Sequence, residues 1–167
     1  MGHIPPFDPG AERWGVNRLM MLRYAGDFDA WDRWFDLHDA AHIQRERSDA
    51  WAWYQRQDCR RPIYSWSIDP LVPGHRAYPC AAVREFFGGH QDFDGSISWM
   101  IALAIMEGFT DIDLFWFTLN SDNHAAQIPN AQYWIGQAEG RGIRVSVHGE
   151  DSALKHSGRL YGLPSAA

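Results

Sequence analysis

Residues 94–120 read DGSISWMIALAIMEGFTDIDLFWFTLN and decide the fold class of this chain. A short polar turn at Gly95 and Ser96 precedes a stretch with the apolar spacing of a helix. Gly108 is a residue type that commonly ends helices, and a run of apolar residues follows over residues 112–117. This order predicts a helix that leads into a buried strand of a parallel sheet.

Strand and helix patterns alternate along most of the chain. Such alternation favours a mainly parallel sheet that is covered by helices on both faces. We therefore predict a single α/β domain over residues 1–167, a Rossmann-like three-layer sandwich with a sheet of about five strands centred on residues 112–117. The predicted strands are residues 13–17, 34–38, 62–67, 111–119 and 143–147, and the predicted helices are residues 41–57, 81–87, 96–107 and 130–140.

Composition and charge exclude several function classes. The formal net charge of −6 disfavours strong non-specific binding to nucleic acid, which requires clustered Lys and Arg. No segment has the length of a membrane span or the pattern of a secretory signal, so we predict a cytoplasmic protein with no membrane partner. Cys59 and Cys80 show no spacing that is typical of a zinc site, so no metal is expected. The sequence does not indicate which cofactor, if any, is used.

Polar residues follow the predicted strands, where open α/β sheets bind their ligands. The amide of Asn17 is expected to hydrogen-bond a base or a ribose, and a turn-capping role is the alternative. His38 is predicted to act as a general base that Asp36 orients, since the two point to one face of a strand. The alternative for His38 is a structural hydrogen bond to a backbone carbonyl.

The turn before the central helix is predicted to face the phosphates of a ligand in the same crevice as Asn17 and His38. Backbone N–H groups at Gly95 and the hydroxyl of Ser96 lie at a helix N-terminus, which attracts anions such as phosphate. The alternative role for Ser96 is that of an N-cap residue, which stabilises a helix by roughly 1 kcal/mol.

Two further groups of residues are predicted to contact a substrate. Asn120, Asp122 and His124 follow the central strand, and we interpret them as a polar loop that binds substrate rather than as a metal site. Tyr133 lies in a predicted helix and is expected to stack on a base or a sugar. Core packing is the alternative for Tyr133.

Four segments carry a family resemblance, and Ser152 and Tyr161 continue it at the end of the chain. They resemble uncharacterised Rossmann-like proteins of tailed bacteriophages. They are more distantly similar to bacterial sialyltransferases that use CMP-sialic acid, and to hydroxymethylpterin pyrophosphokinase-like proteins. In the sialyltransferases, the residue that matches Asn17 looks like a nucleotide contact. The segments are WGVN at residues 14–17, WDRWFDLH at 31–38, GSISWMIALAI at 95–105 and QYWIGQAEGRGIRV at 132–145.

The resemblance implies a phage-type protein that binds a nucleotide or a nucleotide sugar in the host cytoplasm. The implied activity is that of a glycosyl- or nucleotidyl-transferase in nucleoside or nucleic-acid modification. The resembling proteins begin with a strand and a G-x-G-P-S turn, whereas this chain begins MGHIPPFDPG. A second hypothesis is therefore a non-catalytic interaction protein that keeps the fold without that phosphate-binding turn. A homodimer is expected under either hypothesis.

Overall fold

A computed structural model describes residues 8–17, 31–56, 61–115, 125–149 and 152–155 of the chain. They divide into two compact units, Met1–Gly89 and His90–Ala167, and each unit has its own sheet. Every pair of strands in the described residues is parallel, which confirms the prediction of a mainly parallel α/β fold. The single-domain organisation stays a prediction, as does the Rossmann-like three-layer arrangement.

The first unit contains a four-stranded parallel sheet in the order β1-β2-β3-β4. The register places Gly15 opposite Trp34, and Trp34 opposite Ile63. Two short helices connect the second and third strands, and a third helix follows the last strand. These elements are β1 Trp14–Val16, β2 Arg33–Phe35, α1 Ala40–Glu46, α2 Ser48–Tyr54, β3 Ile63–Ser65, β4 His75–Ala77 and α3 Cys80–Phe86.

The core of the first unit lies between one face of this sheet and helices α1 and α2. Trp34 and Ile63 lie on that face, since they are opposite each other in the register of β2 and β3. The indole of Trp34 packs against Trp31 and Trp53, with ring centroids 5.4 and 4.9 Å apart. A Cβ atom at Gly15 would overlap the six-membered ring of Trp34, so this approach of strand to indole requires glycine.

The helix predicted over residues 41–57 is two helices that meet at Arg47. Arg47 has φ −139° and ψ 50°, outside the helical region, and it is the C-cap of α1 and the N-cap of α2. Its N–H donates to the carbonyl of Ile43, and its own carbonyl accepts from the N–H of Trp51. The prediction of one continuous helix was therefore wrong, because Arg47 leaves the helical conformation between the two segments.

The second unit repeats the order of helix and strand that residues 94–120 predict. Its elements are α4 Ser96–Glu107, β5 Asp111–Phe115, α5 Gln127–Glu139 and β6 Arg144–His148. Gly108 ends α4 with φ 82°, a left-handed conformation that glycine adopts without a steric penalty. Strands β5 and β6 pair in parallel. The prediction of α4 is confirmed over its whole length.

The described strands form two sheets, and among them β5 pairs with β6 alone. A single sheet of about five strands centred on residues 112–117 stays a prediction. Strand β4 was not predicted, because His75, Arg76 and Ala77 form a three-residue strand without an apolar alternation. Residues 116 and 117 of the predicted central strand lie outside the described residues. No helix in the described ranges is long and apolar enough to cross a bilayer.

Candidate functional site

Three of the predicted site residues meet at the carboxyl edge of the four-stranded sheet. Asn17 follows β1, and its N–H donates to the carbonyl of Phe35 at 2.8 Å. Asp36 follows β2, and its N–H donates to the carbonyl of Tyr64 at 2.9 Å. His38 lies two residues further on. The parallel strands end at the same edge, which brings these residues together as the sequence predicts.

Asp36 is the centre of this site. Its side chain has no exposed surface, yet its carboxylate accepts three hydrogen bonds. Oδ1 accepts from Nδ1 of His38 at 2.5 Å and from Nη1 of Arg47 at 3.1 Å, and Oδ2 accepts from the hydroxyl of Tyr54 at 2.9 Å. Since a buried carboxylate is costly unless it is paired and hydrogen-bonded, these three donors offset the cost of burying Asp36.

The tautomer of His38 follows from its contact with Asp36. An ionised carboxylate only accepts hydrogen bonds, so Nδ1 of His38 carries the proton that bonds Asp36. Nε2 is then the basic nitrogen of the neutral ring. The side chain of His38 is 31% exposed, so a ligand can reach the ring. This arrangement of a histidine that a carboxylate orients is suited to general-base chemistry.

Arg47 is a site residue that the sequence analysis missed, because it was assigned to the interior of a helix. Its Nη1 and Nη2 atoms lie 3.4 and 3.2 Å from Nδ1 and Nε2 of His38. The break between α1 and α2 places this guanidinium beside both His38 and Asp36. Ser48 and Asp49, residue types that favour helix starts, are the signal in the sequence that a second helix begins there.

Tyr54 and Trp34 connect the site to the core. Tyr54 is buried, and this burial, together with the negative charge of Asp36, raises the pKa of its hydroxyl well above the ordinary value. The indole Nε1 of Trp34 donates to the carbonyl of Asn17 at 3.1 Å. Asn17 itself has φ 51°, and its buried Oδ1 makes no hydrogen bond within the part of the chain that the structure describes. Binding of a ligand by the Asn17 amide stays a prediction.

A second histidine, His75, is buried and stabilises the β3–β4 connection. Its Nδ1 accepts from the N–H of Asp69 at 2.8 Å, so its proton is on Nε2, which lies 2.5 Å from Oγ of Ser65. Ser65 in turn donates to the carbonyl of Ser67. His75 is therefore a donor to Ser65 and does not activate it as a nucleophile. Burial lowers the pKa of His75, and the charges of Asp69 and Asp36 oppose that shift.

The lowered pKa of His75 predicts a loss of stability in acid. Unfolded His75 takes up a proton near its ordinary pKa of about 6.5, whereas folded His75 resists protonation, so unfolding binds protons. The free energy of unfolding should therefore fall as the pH drops below about 6.5. Urea denaturation at pH 7.5 and pH 5.0 measures this effect. The His75→Gln variant cannot titrate at this position, and a pH dependence as steep as that of the parent protein would contradict the prediction.

The second unit contains Gly95 and Ser96 at the start of α4. Gly95 is the N-cap, with φ 83°, and no side chain caps the helix, so Ser96 is not the N-cap residue. Helix α5 holds this turn through Asn130. Its Nδ2 donates to the carbonyl of Asp92 at 3.2 Å, and its Oδ1 accepts from the N–H of Asp94. The amide of Gln127 lies against Gly95, where a Cβ atom would be 2.5 Å from Oε1. Phosphate binding at this turn stays a prediction.

The remaining predicted residues divide into two groups. Tyr133 lies on α5 and is exposed, and one face of its ring stacks on His90 with centroids 5.2 Å apart. Stacking of Tyr133 on a base or a sugar stays a prediction. Asn120, Asp122 and His124 lie outside the described residues.

Within the described ranges no group of three or more His, Cys, Asp or Glu side chains is arranged to hold a metal ion. Comparison of the chain with protein-family models, with curated proteins and with solved structures found no match.

Proposed function

We propose that the chain binds a nucleotide or a nucleotide sugar at the carboxyl edge of the four-stranded sheet and acts as a transferase. The observation that carries this proposal is the pair of His38 and Asp36, with 2.5 Å between Nδ1 and Oδ1. His38 takes a proton from an acceptor hydroxyl through Nε2. Asp36 holds the tautomer and stabilises the imidazolium that forms. The class of ligand comes from the resemblance of the sequence to nucleotide-sugar enzymes.

The role of Asn17 in this proposal is to bind the ligand. Its buried Oδ1 is an acceptor that faces no donor among the described residues. An unsatisfied buried acceptor costs about 1–3 kcal/mol, and a ligand N–H or O–H group that bonds it recovers that energy. Bases and sugars both present such donors, so they suit this position.

A thermal-shift panel of nucleotides and nucleotide sugars tests the proposal. A ligand that binds only the folded state raises the free energy of unfolding by about 2.7 kcal/mol at a hundredfold excess over its Kd. At least one member of the panel should raise the melting temperature, and Asn17→Ala should reduce that shift. A panel without any shift would count against the proposed function.

The His38→Ala variant tests the chemical role. We expect turnover to fall by about 100-fold or more, while the Kd of the ligand changes much less, because a general base acts mainly in the transition state. An activity assay with the ligand that the panel identifies gives the turnover, and calorimetry gives the Kd. His148→Ala is the matched control, since His148 also contacts an aspartate, Asp113, at 2.7 Å, but in the second unit. Equal losses in the two variants would exclude His38 as the base.

A non-catalytic interaction protein is the second candidate function. It is favoured by three apolar side chains, Trp66, Ile68 and Leu71, that are exposed on the connection between β3 and β4. Exposed aromatic and aliphatic side chains of this kind are common anchors of protein interfaces. The ligand panel separates the two candidates, because only the first requires that a nucleotide stabilises the fold.

A further inference from the structure

Two basic side chains lie against the ring of His38. The ring of His42 lies nearly parallel to that of His38, with 5.4 Å between centroids and 17° between planes. The guanidinium of Arg47 lies alongside the same ring, with Nη2 3.2 Å from Nε2. Both side chains are half-buried, so each keeps a surface that a ligand can contact.

We propose that Arg47 and His42 form a subsite for a phosphate or diphosphate group of the ligand. This inference rests on the proposed function and specifies the charged part of the substrate. A guanidinium offers several N–H donors in a planar fork that matches phosphate oxygens. The imidazole of His42 adds a further donor, and a positive charge when it is protonated. Both lie against the same imidazole of His38, which is why we assign them to one subsite.

The nearby carboxylates do not exclude an anion from this position. Asp36 is buried and already accepts three hydrogen bonds. Asp39 caps α1 by accepting from the N–H of Ala41 at 2.8 Å. Glu46 pairs with Arg45 at 2.7 Å. The guanidinium of Arg47 and the ring of His42 are therefore the groups of this subsite that a phosphate contacts.

Phosphate binding at Arg47 has a consequence for the base. In the structure Nη2 of Arg47 donates towards Nε2 of His38, which is the nitrogen that must accept the proton of a hydroxyl. A negatively charged oxygen is a stronger acceptor than a neutral imidazole. A bound phosphate therefore draws the guanidinium away and frees Nε2. Binding of phosphate in the subsite therefore comes first, and it makes Nε2 of His38 available as the base.

Calorimetric titration of the full chain with inorganic pyrophosphate at pH 6.0 tests the subsite. We expect Arg47→Gln and His42→Gln each to weaken pyrophosphate binding by about tenfold, the scale of one charged hydrogen bond. Arg45→Gln is the matched control. Arg45 lies on α1, as His42 does, but its side chain is 70% exposed and pairs with Glu46. His42→Gln keeps the test informative if Arg47→Gln fails to fold, since His42 makes no bond to Asp36.

The outcomes separate the subsite from the proposed function. The ¹⁵N signal of His38 Nε2 should shift when pyrophosphate is added, as its contact with Arg47 is lost. Absence of pyrophosphate binding, or an equal loss in Arg45→Gln, would overturn the subsite. Subsite-dependent binding of pyrophosphate with no tighter binding of nucleoside diphosphates would support the subsite and overturn the proposed function. If nucleotides bind equally well to the parent protein and to the Arg47 and His42 variants, the result would support the proposed function and overturn the subsite.

Discussion

Replacement of Asp36 by alanine is expected to lower the free energy of unfolding by about 3–5 kcal/mol, the cost of breaking a buried ion pair by removing one partner. The carboxylate is buried and accepts from His38, Arg47 and Tyr54. Its removal leaves the buried hydroxyl of Tyr54 and the guanidinium of Arg47 without their charged acceptor. Urea denaturation at pH 7.5 measures the loss.

Asp39 provides the control for this prediction, because its carboxylate caps α1 from an exposed position. The Asp39→Ala variant should lose only about 1 kcal/mol, the usual cost of removing an N-cap side chain. Asp36→Ala should also abolish any ligand-dependent stabilisation in the thermal-shift panel. Similar losses of stability in the two variants would show that the buried network contributes no more than a helix cap.

The second large effect is expected at Gly15. A Cβ atom there would overlap the indole of Trp34, which packs against Trp31 and Trp53 and is 1% exposed. Gly15→Ala should therefore lower the free energy of unfolding by about 1–3 kcal/mol, as overpacking of a core does. In a Trp34→Leu background the same change should cost much less, and a double-mutant cycle measures that coupling.

Gly136 provides the control for the Gly15→Ala prediction. It lies in α5, and a Cβ atom there meets nothing within 4 Å. Gly136→Ala should raise the free energy of unfolding by about 0.5–1 kcal/mol, since alanine is favoured over glycine in a helix. A loss at Gly136 as large as that at Gly15 would mean that the effect arises from the backbone and not from contact with Trp34.

The sequence predicts the elements of this fold better than their arrangement. Helix α4 matches its prediction because an apolar helical pattern ends at Gly108, and both signals are local. Strand β4 escaped prediction because three residues without alternation carry no local pattern. The pairing of β5 with β6 depends on contacts between residues far apart in sequence, which periodicity does not encode.

The candidate site also combines residues that the local sequence predicts with residues that it does not. Asp36 and His38 are two residues apart and follow an apolar strand, so their association was visible in the sequence. Arg47 and Tyr54 join them only because the chain breaks its helix at Arg47 and then returns along α2 to the edge of the sheet. A composition typical of a helix over residues 41–57 concealed that break. Long-range placement of this kind requires the three-dimensional structure.

The network around Asp36 has an evolutionary consequence. Its three donors come from the end of a strand, the joint between two helices and the last turn of α2. A substitution at Asp36, Arg47 or Tyr54 alone leaves a buried polar group without its partner, which is a severe cost for a protein of ordinary stability. These positions are therefore expected to change together in descendant lineages, through a concerted replacement of the whole polar set by apolar residues.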